Sequence, residues 1–288
     1  MRPGNNRARN PRNDTMLSAT SSSLTADPQR LVQAKQTYYA TSNAAAESLF
    51  PLTQWTLPQK LAIACRALAM ADHNAGFGLA SQVSARAVSE SLWTQQYGLA
   101  LEEATASNQI EADFDLKPLR GERMVNPANR FHAWIYRRRG DVAAIVHTHP
   151  PYTCALSMLG VPLHVAHMDT TPLYGRVAHL EVWPGVPFGD EEGRLISERL
   201  GSDKAILLAH HGLITVGGSV EEACVLAMVF EHAARLQVLA AGAAAPLQPL
   251  EPALGDDARR FAEQPIYAPA HFAYYARRVL AVQPEALA

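Results

Sequence analysis

The sequence predicts an α/β protein: one three-layer α/β/α domain built on a central mixed, largely antiparallel sheet. Two observations carry that expectation. Short apolar, β-branched runs alternate with helix-period stretches along most of the chain, without internal repeats. Two of those runs, Val142–Val146 and Ala205–Ala209, have the unbroken apolar character of buried strands, and each ends abruptly in histidine.

Taken in order, residues 1–28 are rich in Asn, Arg, Ser and Thr and poor in apolar anchors, which reads as a disordered N-terminal segment. A domain is expected over 29–243, opening with a helix from Gln29 to Ala46. Pro58 starts a second helix, with Leu61, Ala62, Cys65, Leu68 and Ala69 at i, i+3, i+4 spacing, stopping before the glycine turn Asn74–Gly78. Gln82–Arg86, Leu92–Thr94 and Gln109–Ala112 read as strands. Phe131–Arg138 reads as a helix feeding the strand that reaches His147, and Val161–Ala166 and Val177–Trp183 as short strands. Asp190–Leu200 is an amphipathic helix with acidic residues in its first turn, where the helix dipole favours them. After the Ala205–Ala209 strand, Ser219-Val220-Glu221-Glu222 resembles a capping box and opens a long helix to Ala241. Residues 244–288 read as a C-terminal linker and helical tail.

Composition excludes several function classes. The 288 residues carry 48% hydrophobic residues and a formal net charge of -2, so nothing marks a nucleic-acid groove or an anionic membrane surface. No apolar run approaches the ~18 residues that span a bilayer, and no apolar stretch follows the basic N-terminus as in a signal peptide. Three cysteines, Cys65, Cys154 and Cys224, are widely spaced and odd in number. A disulfide framework is not expected; a reducing, cytoplasmic setting is.

The chemistry concentrates at the two histidine-bearing strand ends. His147 and His149 lie two apart, so on a strand they share a face. Two imidazoles on one face hold one divalent metal if a third ligand arrives from elsewhere. His210-His211-Gly212, at the end of the second run, supplies candidates, and His211, directly before the glycine, is the one favoured. Three imidazoles with no thiolate admit Zn2+, Mn2+ or Fe2+ and leave coordination positions open, as catalytic sites do.

The stretches RFHAWIYRRRGDVAAIVHTHPPYTCALSMLG and AILLAHHGLITVGGSVEEACVLAMVFEHAARLQVLA resemble the class II aldolase/adducin family, over roughly residues 58–243. The resemblance implies a class II aldolase-like fold and one divalent metal ion held by His147, His149 and His211. It also implies a cyclic homotetramer in which Asp169 and Tyr174 reach a neighbouring subunit's site. In the family's aldolases the metal stabilises an enolate as a C–C bond breaks.

Two departures alter that expectation. The aldolases' acid/base glutamate falls on Ala128, and alanine transfers no proton. The phosphate cradle is replaced by Ser81-Gln82, Gln96-Tyr97-Gly98 and Asn126-Pro127. The expected activity is therefore that of a metal-dependent lyase decarboxylating a small, non-phosphorylated keto or hydroxy acid. Alternatives are a retro-aldolase with a relocated acid, an Fe(II)/O2-dependent oxygenase, or an adducin-like assembly module without catalysis.

Further candidates are His132 as a catalytic group or a core hydrogen-bonding residue, and Glu102 or Glu103 as replacement carboxylates. His210, His167 and Glu231 could hold a ligand's second nitrogen. Arg137–Arg139 could attract a carboxylate, and the aromatic tail (Phe261, Tyr267, Phe272, Tyr274, Tyr275) could close over the site or pack on a neighbour.

Overall fold

The structure is a computed structural model that describes residues 27–49, 53–75, 78–88, 90–121, 123–243 and 245–288. The expected disordered segment 1–28 lies almost wholly outside the described residues, as do Gly76 and Phe77 of the glycine turn.

Helix α1 (Pro28–Leu49) is followed by α2 (Leu57–Met70), whose first turn is closed by a capping box between Thr56 and Gln59. Strands β1 (Gln82–Arg86), β2 (Ser91–Gln95), β3 (Gln109–Asp113) and β4 (Pro118–Arg120) form an antiparallel meander. Helix α3 (Asn129–Arg138) leads to β5 (Ala144–Thr148), and α4 (Pro151–Ser157) follows at once, with Pro151 at its first position. Then come β6 (Val177–Leu180), α5 (Asp190–Leu200), β7 (Ala205–Leu208), β8 (Leu213–Gly217) and α6 (Val220–Ala241). Helices α7 (Pro252–Ala262) and α8 (Tyr267–Val282) close the chain.

The eight strands form one sheet in the order β4-β3-β2-β1-β5-β8-β7-β6, antiparallel throughout except for the parallel pair β6–β7. Alternation along the strands builds two cores. Val83, Ala85, Ala144, Val146, Ala205 and Leu207 face α2, α6 and α8, while Ile145, Ile206, Leu208, Ile214 and Val216 face α3 and α5. That is the expected three-layer arrangement. Helix α6 is by length and composition apolar enough to cross a membrane, contrary to the expectation that no stretch is. Its apolar side, including Cys224, Ala227 and Phe230, is wrapped in the core.

Several elements differ from the sequence reading for visible reasons. Val161–Ala166 forms no strand, because the Gln237 side chain on α6 takes over its backbone: Nε2 donates to the Pro162 carbonyl at 2.9 Å and Oε1 accepts from His164 N–H at 2.7 Å. The strand expected over Val177–Trp183 ends at Leu180, before Pro184-Gly185. Strand β8 and helix α4 were not expected at all. The tail is two helices separated near Pro265, and α8 packs into the main core through Phe272 and Ala276. The aromatic tail therefore covers the α2/α6 layer, not the histidines. At α6, Ser219 accepts from Glu222 N–H, and Glu222 Oε2 accepts from Gly218 N–H at 2.7 Å, one residue before the box's usual partner.

Candidate metal centre

His147 sits on β5 with the parity of Ile145, so its ring points to the α3 side, where the Phe131 ring meets it edge-on at 5.1 Å. His149 lies just past the strand, where its N–H donates to the His73 carbonyl at 3.1 Å. The His73 ring in turn bonds Thr148 Oγ1 at 2.9 Å, which ties the strand end down twice.

His211 arrives on the turn between β7 and β8. His210 takes the left-handed conformation there (φ 55°) and is exposed, while His211 faces inward. The choice of His211 over His210 follows from this turn. Gly212 permits the close approach: a Cβ there would lie 2.5 Å from the Thr148 carbonyl oxygen and 2.6 Å from His149 Cδ2.

The three rings meet with centroids 4.6–4.7 Å apart, and one nitrogen from each lies within 4.8 Å of the others. His147 Nε2 and His149 Nε2 are 2.9 Å apart. His147 Nδ1–H donates to the Leu213 carbonyl at 2.8 Å, which fixes the tautomer and leaves the Nε2 lone pair for a ligand role. Thus a backbone carbonyl, and none of His210, His167 or Glu231, steadies this imidazole.

Burial, reinforced by the two neighbouring imidazoles, holds His147 well below its ordinary pKa. Burial lowers His149 to about 4, and burial with His149 lowers His211 to about 3. All three rings are neutral at pH 7, the form that binds a metal. The donor set therefore fits one borderline divalent ion.

The other candidates fall elsewhere. His132 is fully buried on α3, its ring 4.5 Å from that of Phe131, which also meets the His147 ring at 5.1 Å. Its Nδ1 shares a hydrogen bond with Ser84 Oγ at 2.7 Å, and that hydroxyl also meets Tyr136 OH at 2.9 Å. Its Nε2 has no partner, and burial lowers its pKa to about 3. Tyr174 precedes the Val177 end of β6, whereas the triad lies past the Leu208 end of β7, so within one chain they occupy opposite ends of that strand pair. The Tyr174 ring packs on Gly255 of α7, where a Cβ would meet it at 2.6 Å. Asp169 is exposed on the 3-10 turn Met168–Leu173, beside His167 and His232.

Glu231 accepts from the backbone N–H groups of Tyr152 and Thr153, at 2.9 and 2.8 Å, and so caps α4 from α6. Glu102 accepts from Asn74 and Glu103 from Ala100 N–H, both at the surface. Arg137, Arg138 and Arg139 are paired with Asp115, Glu198 and Asp141. None of these is a replacement acid or a carboxylate receptor beside the triad.

At the acid position, Ala128 is buried in the apolar cluster with Phe131. The cradle positions are tied up internally. Asn126 Nδ2 donates to the Leu79 carbonyl while Oδ1 accepts from Ala128 N–H, and Gln82 Nε2 donates to the Ala80 carbonyl. Gln82 is also a residue whose place sequence reasoning missed. It is the cross-strand partner of His147 on β1, buried, with Oε1 unpartnered. Only the strand register reveals that neighbourhood.

The family model for the class II aldolase and adducin N-terminal domain matches residues 59–238, more than half of the chain. The chain belongs to this family. Relatives in it include decarboxylase NovR of Streptomyces niveus, 30% identical over 54% of this chain and 59% of the relative. A 4-hydroxy-3-prenylphenylpyruvate oxygenase/4-hydroxy-3-prenylbenzoate synthase of Streptomyces roseochromogenus subsp. oscitans is 31% identical over 55% of this chain and 58% of its own. The chain thus spans under two thirds of these two relatives. For the 3,4-dihydroxyphthalate decarboxylase of Arthrobacter keyseri, identity is 30% over 67% of this chain and 83% of the relative. Among solved structures, L-fuculose 1-phosphate aldolase from Glaciozyma antarctica PI12 superposes with a TM-score of 0.72 at 26% identity, over 84% of this chain and 98% of that one. The fold is that of the class II aldolase family.

Proposed function

We propose that the protein is a metal-dependent carbon–carbon lyase that decarboxylates a small, non-phosphorylated keto or hydroxy acid. One observation carries this reading. Three neutral imidazoles converge on one point, and among the described residues no carboxylate joins them, the acid position being the buried methyl of Ala128. Zn2+ or Mn2+ fits the donor set, and Fe2+ is admissible. When bound, the ion supplies Lewis-acid stabilisation to the enolate charge left by C–C cleavage.

The chain's own residues do the rest. His147, His149 and His211 stay unprotonated because burial disfavours their charged forms. Phe131, fully buried, sets an apolar ring against that of His147. Without a carboxylate at the Ala128 position, loss of CO2 is favoured over aldol cleavage: it requires no base to remove a hydroxyl proton, and the enolate it leaves takes its proton from water. The internally bonded Gln82 and Asn126 favour a substrate without phosphate. Relatives named as decarboxylases support the same direction.

Tyr174 and Asp169 complete the proposal as groups offered to a neighbouring copy in a homotetramer. The position of Tyr174, at the far end of the strand pair from its own triad, supports that role. The free thiols of Cys65, Cys154 and Cys224 suit a reducing cytoplasm. A second reading, Fe(II)/O2-dependent cleavage, draws on the relative named as an oxygenase.

The test is metal analysis of protein purified without added metal, followed by a screen of keto and hydroxy acids. CO2 release without O2 uptake supports the decarboxylase. Stoichiometric O2 uptake moves the assignment to the oxygenase, and efficient cleavage of sugar phosphates moves it to an aldolase. Protein that holds no metal and turns over nothing is the adducin-like outcome.

A further inference from the structure

A second group of metal-ligating side chains lies outside the triad. His167 and Asp169 stand at the start of the 3-10 turn Met168–Leu173, and His232 stands on α6. One ligating atom from each lies within 4.8 Å of the others. Asp169 Oδ2 is 3.7 Å from His167 Nδ1 and 3.9 Å from His232 Nε2. Those separations are too long for hydrogen bonds, so the carboxylate engages neither imidazole directly.

We propose that His167, Asp169 and His232 form a second, surface site for a borderline divalent metal ion such as Zn2+. The Asp169 N–H donates to His167 Nδ1 at 3.2 Å, so the proton resides on Nε2; a metal at Nδ1 would take over the lone pair that this N–H now holds. A tetrahedral ion with bonds of roughly 2.0–2.1 Å needs ligand atoms about 3.4 Å apart. Closing 3.7 and 3.9 Å, and a His167–His232 separation within 4.8 Å, to that distance takes rotations of three exposed side chains. Two nitrogens and one carboxylate oxygen select Zn2+, Ni2+ or Cu2+ over Mg2+ or Ca2+, which favour all-oxygen sets.

The side chains are about half exposed, 55% for His167, 53% for Asp169 and 44% for His232. The remaining coordination positions therefore open to water. A bound ion would clamp the 3-10 turn to α6 and fix Asp169 in place. This site does not depend on the triad, and an ion there would hold Asp169 in place of the contact with a neighbouring copy proposed above.

The experiment is a Zn2+ titration of the full-length protein after chelator treatment and dialysis, read by calorimetry and by bound zinc per chain. Wild type is expected to bind two equivalents, the triad filling first. His232→Gln, and separately His167→Gln, should keep the tighter equivalent and weaken the second at least tenfold. His211→Ala should do the reverse, so failure at either site is seen separately. Two undiminished equivalents in His232→Gln, or a second equivalent missing from wild type, would overturn the proposal.

Discussion

Gly212 packs directly beneath the end of β5, where a Cβ would come within 2.5 Å of the Thr148 carbonyl oxygen. This contact brings the β7–β8 turn, and His211 with it, up to His147 and His149. The nearest obstacle is backbone, which cannot yield, and the next is the His149 ring of the triad itself, with Cδ2 at 2.6 Å. Gly212→Ala should therefore push the turn away, costing ~1–3 kcal/mol of stability from overpacking and roughly 10–100-fold in metal affinity from a misplaced ligand. Urea unfolding and a chelator competition assay measure the two effects. Unchanged affinity in a folded variant would show that the turn need not be this close.

The ligands themselves give the sharper result. His147→Ala, His149→Ala and His211→Ala should each remove the tightly held metal, since two imidazoles retain a divalent ion far more weakly than three. Metal content after gel filtration decides it. Full occupancy in all three variants refutes the assignment.

Glu231 tests the support of the strand end. It accepts three hydrogen bonds, from Tyr152 N–H, Thr153 N–H and Thr153 Oγ1, at the first turn of α4. Glu231→Ala leaves those donors without a partner and should cost ~1–2 kcal/mol, whereas Glu231→Gln keeps an acceptor and should cost less. Thermal unfolding of the two variants side by side checks the order. Equal losses would mean that the cap contributes little beyond packing.

Tyr174 separates the assembly question from folding. Its ring fills the notch over Gly255, so Tyr174→Phe keeps the packing and removes only the hydroxyl. Turnover should fall while metal content and oligomer size stay unchanged. An active monomer at assay concentration would rule out a site shared between copies.

Most of the layer structure was legible because period-2 and period-3.6 apolar patterns report burial directly. The histidine triad was legible because imidazoles at two apolar strand ends have few reasons to be there. What escaped depended on partners distant in sequence. Val161–Ala166 looks like a strand until Gln237, on a helix over 70 residues away, takes its hydrogen bonds. Helix α4 is capped by Glu231 across a similar gap, and Gln82 is placed beside His147 only by the register of β1 on β5. His132 carries no local mark that separates a core residue from a catalytic one. Its ring nitrogen is engaged by Ser84, which stands on another element.

Acid sensitivity follows from the buried imidazoles. His73 and His132 are at most 1% exposed, and burial lowers each to a pKa of about 3 from an ordinary 6.5. As pH falls below 6.5, the unfolded chain takes up protons that the folded protein refuses. The stability is thus fully present above pH 6.5 and is lost progressively as pH falls toward 3. At pH 5 each suppressed protonation costs about 2 kcal/mol. His132→Asn retains a polar group for Ser84 but cannot titrate. Whatever it loses at pH 7, its further loss between pH 7 and pH 5 should be smaller than that of the wild type by about 2 kcal/mol. Urea unfolding of both proteins at the two pH values supplies the four numbers, and contributions from the other histidines cancel in the difference. Equal pH-dependent losses in the two proteins would mean that the His132 ring accepts a proton without unfolding, with Ser84 and Tyr136 rearranging to satisfy it.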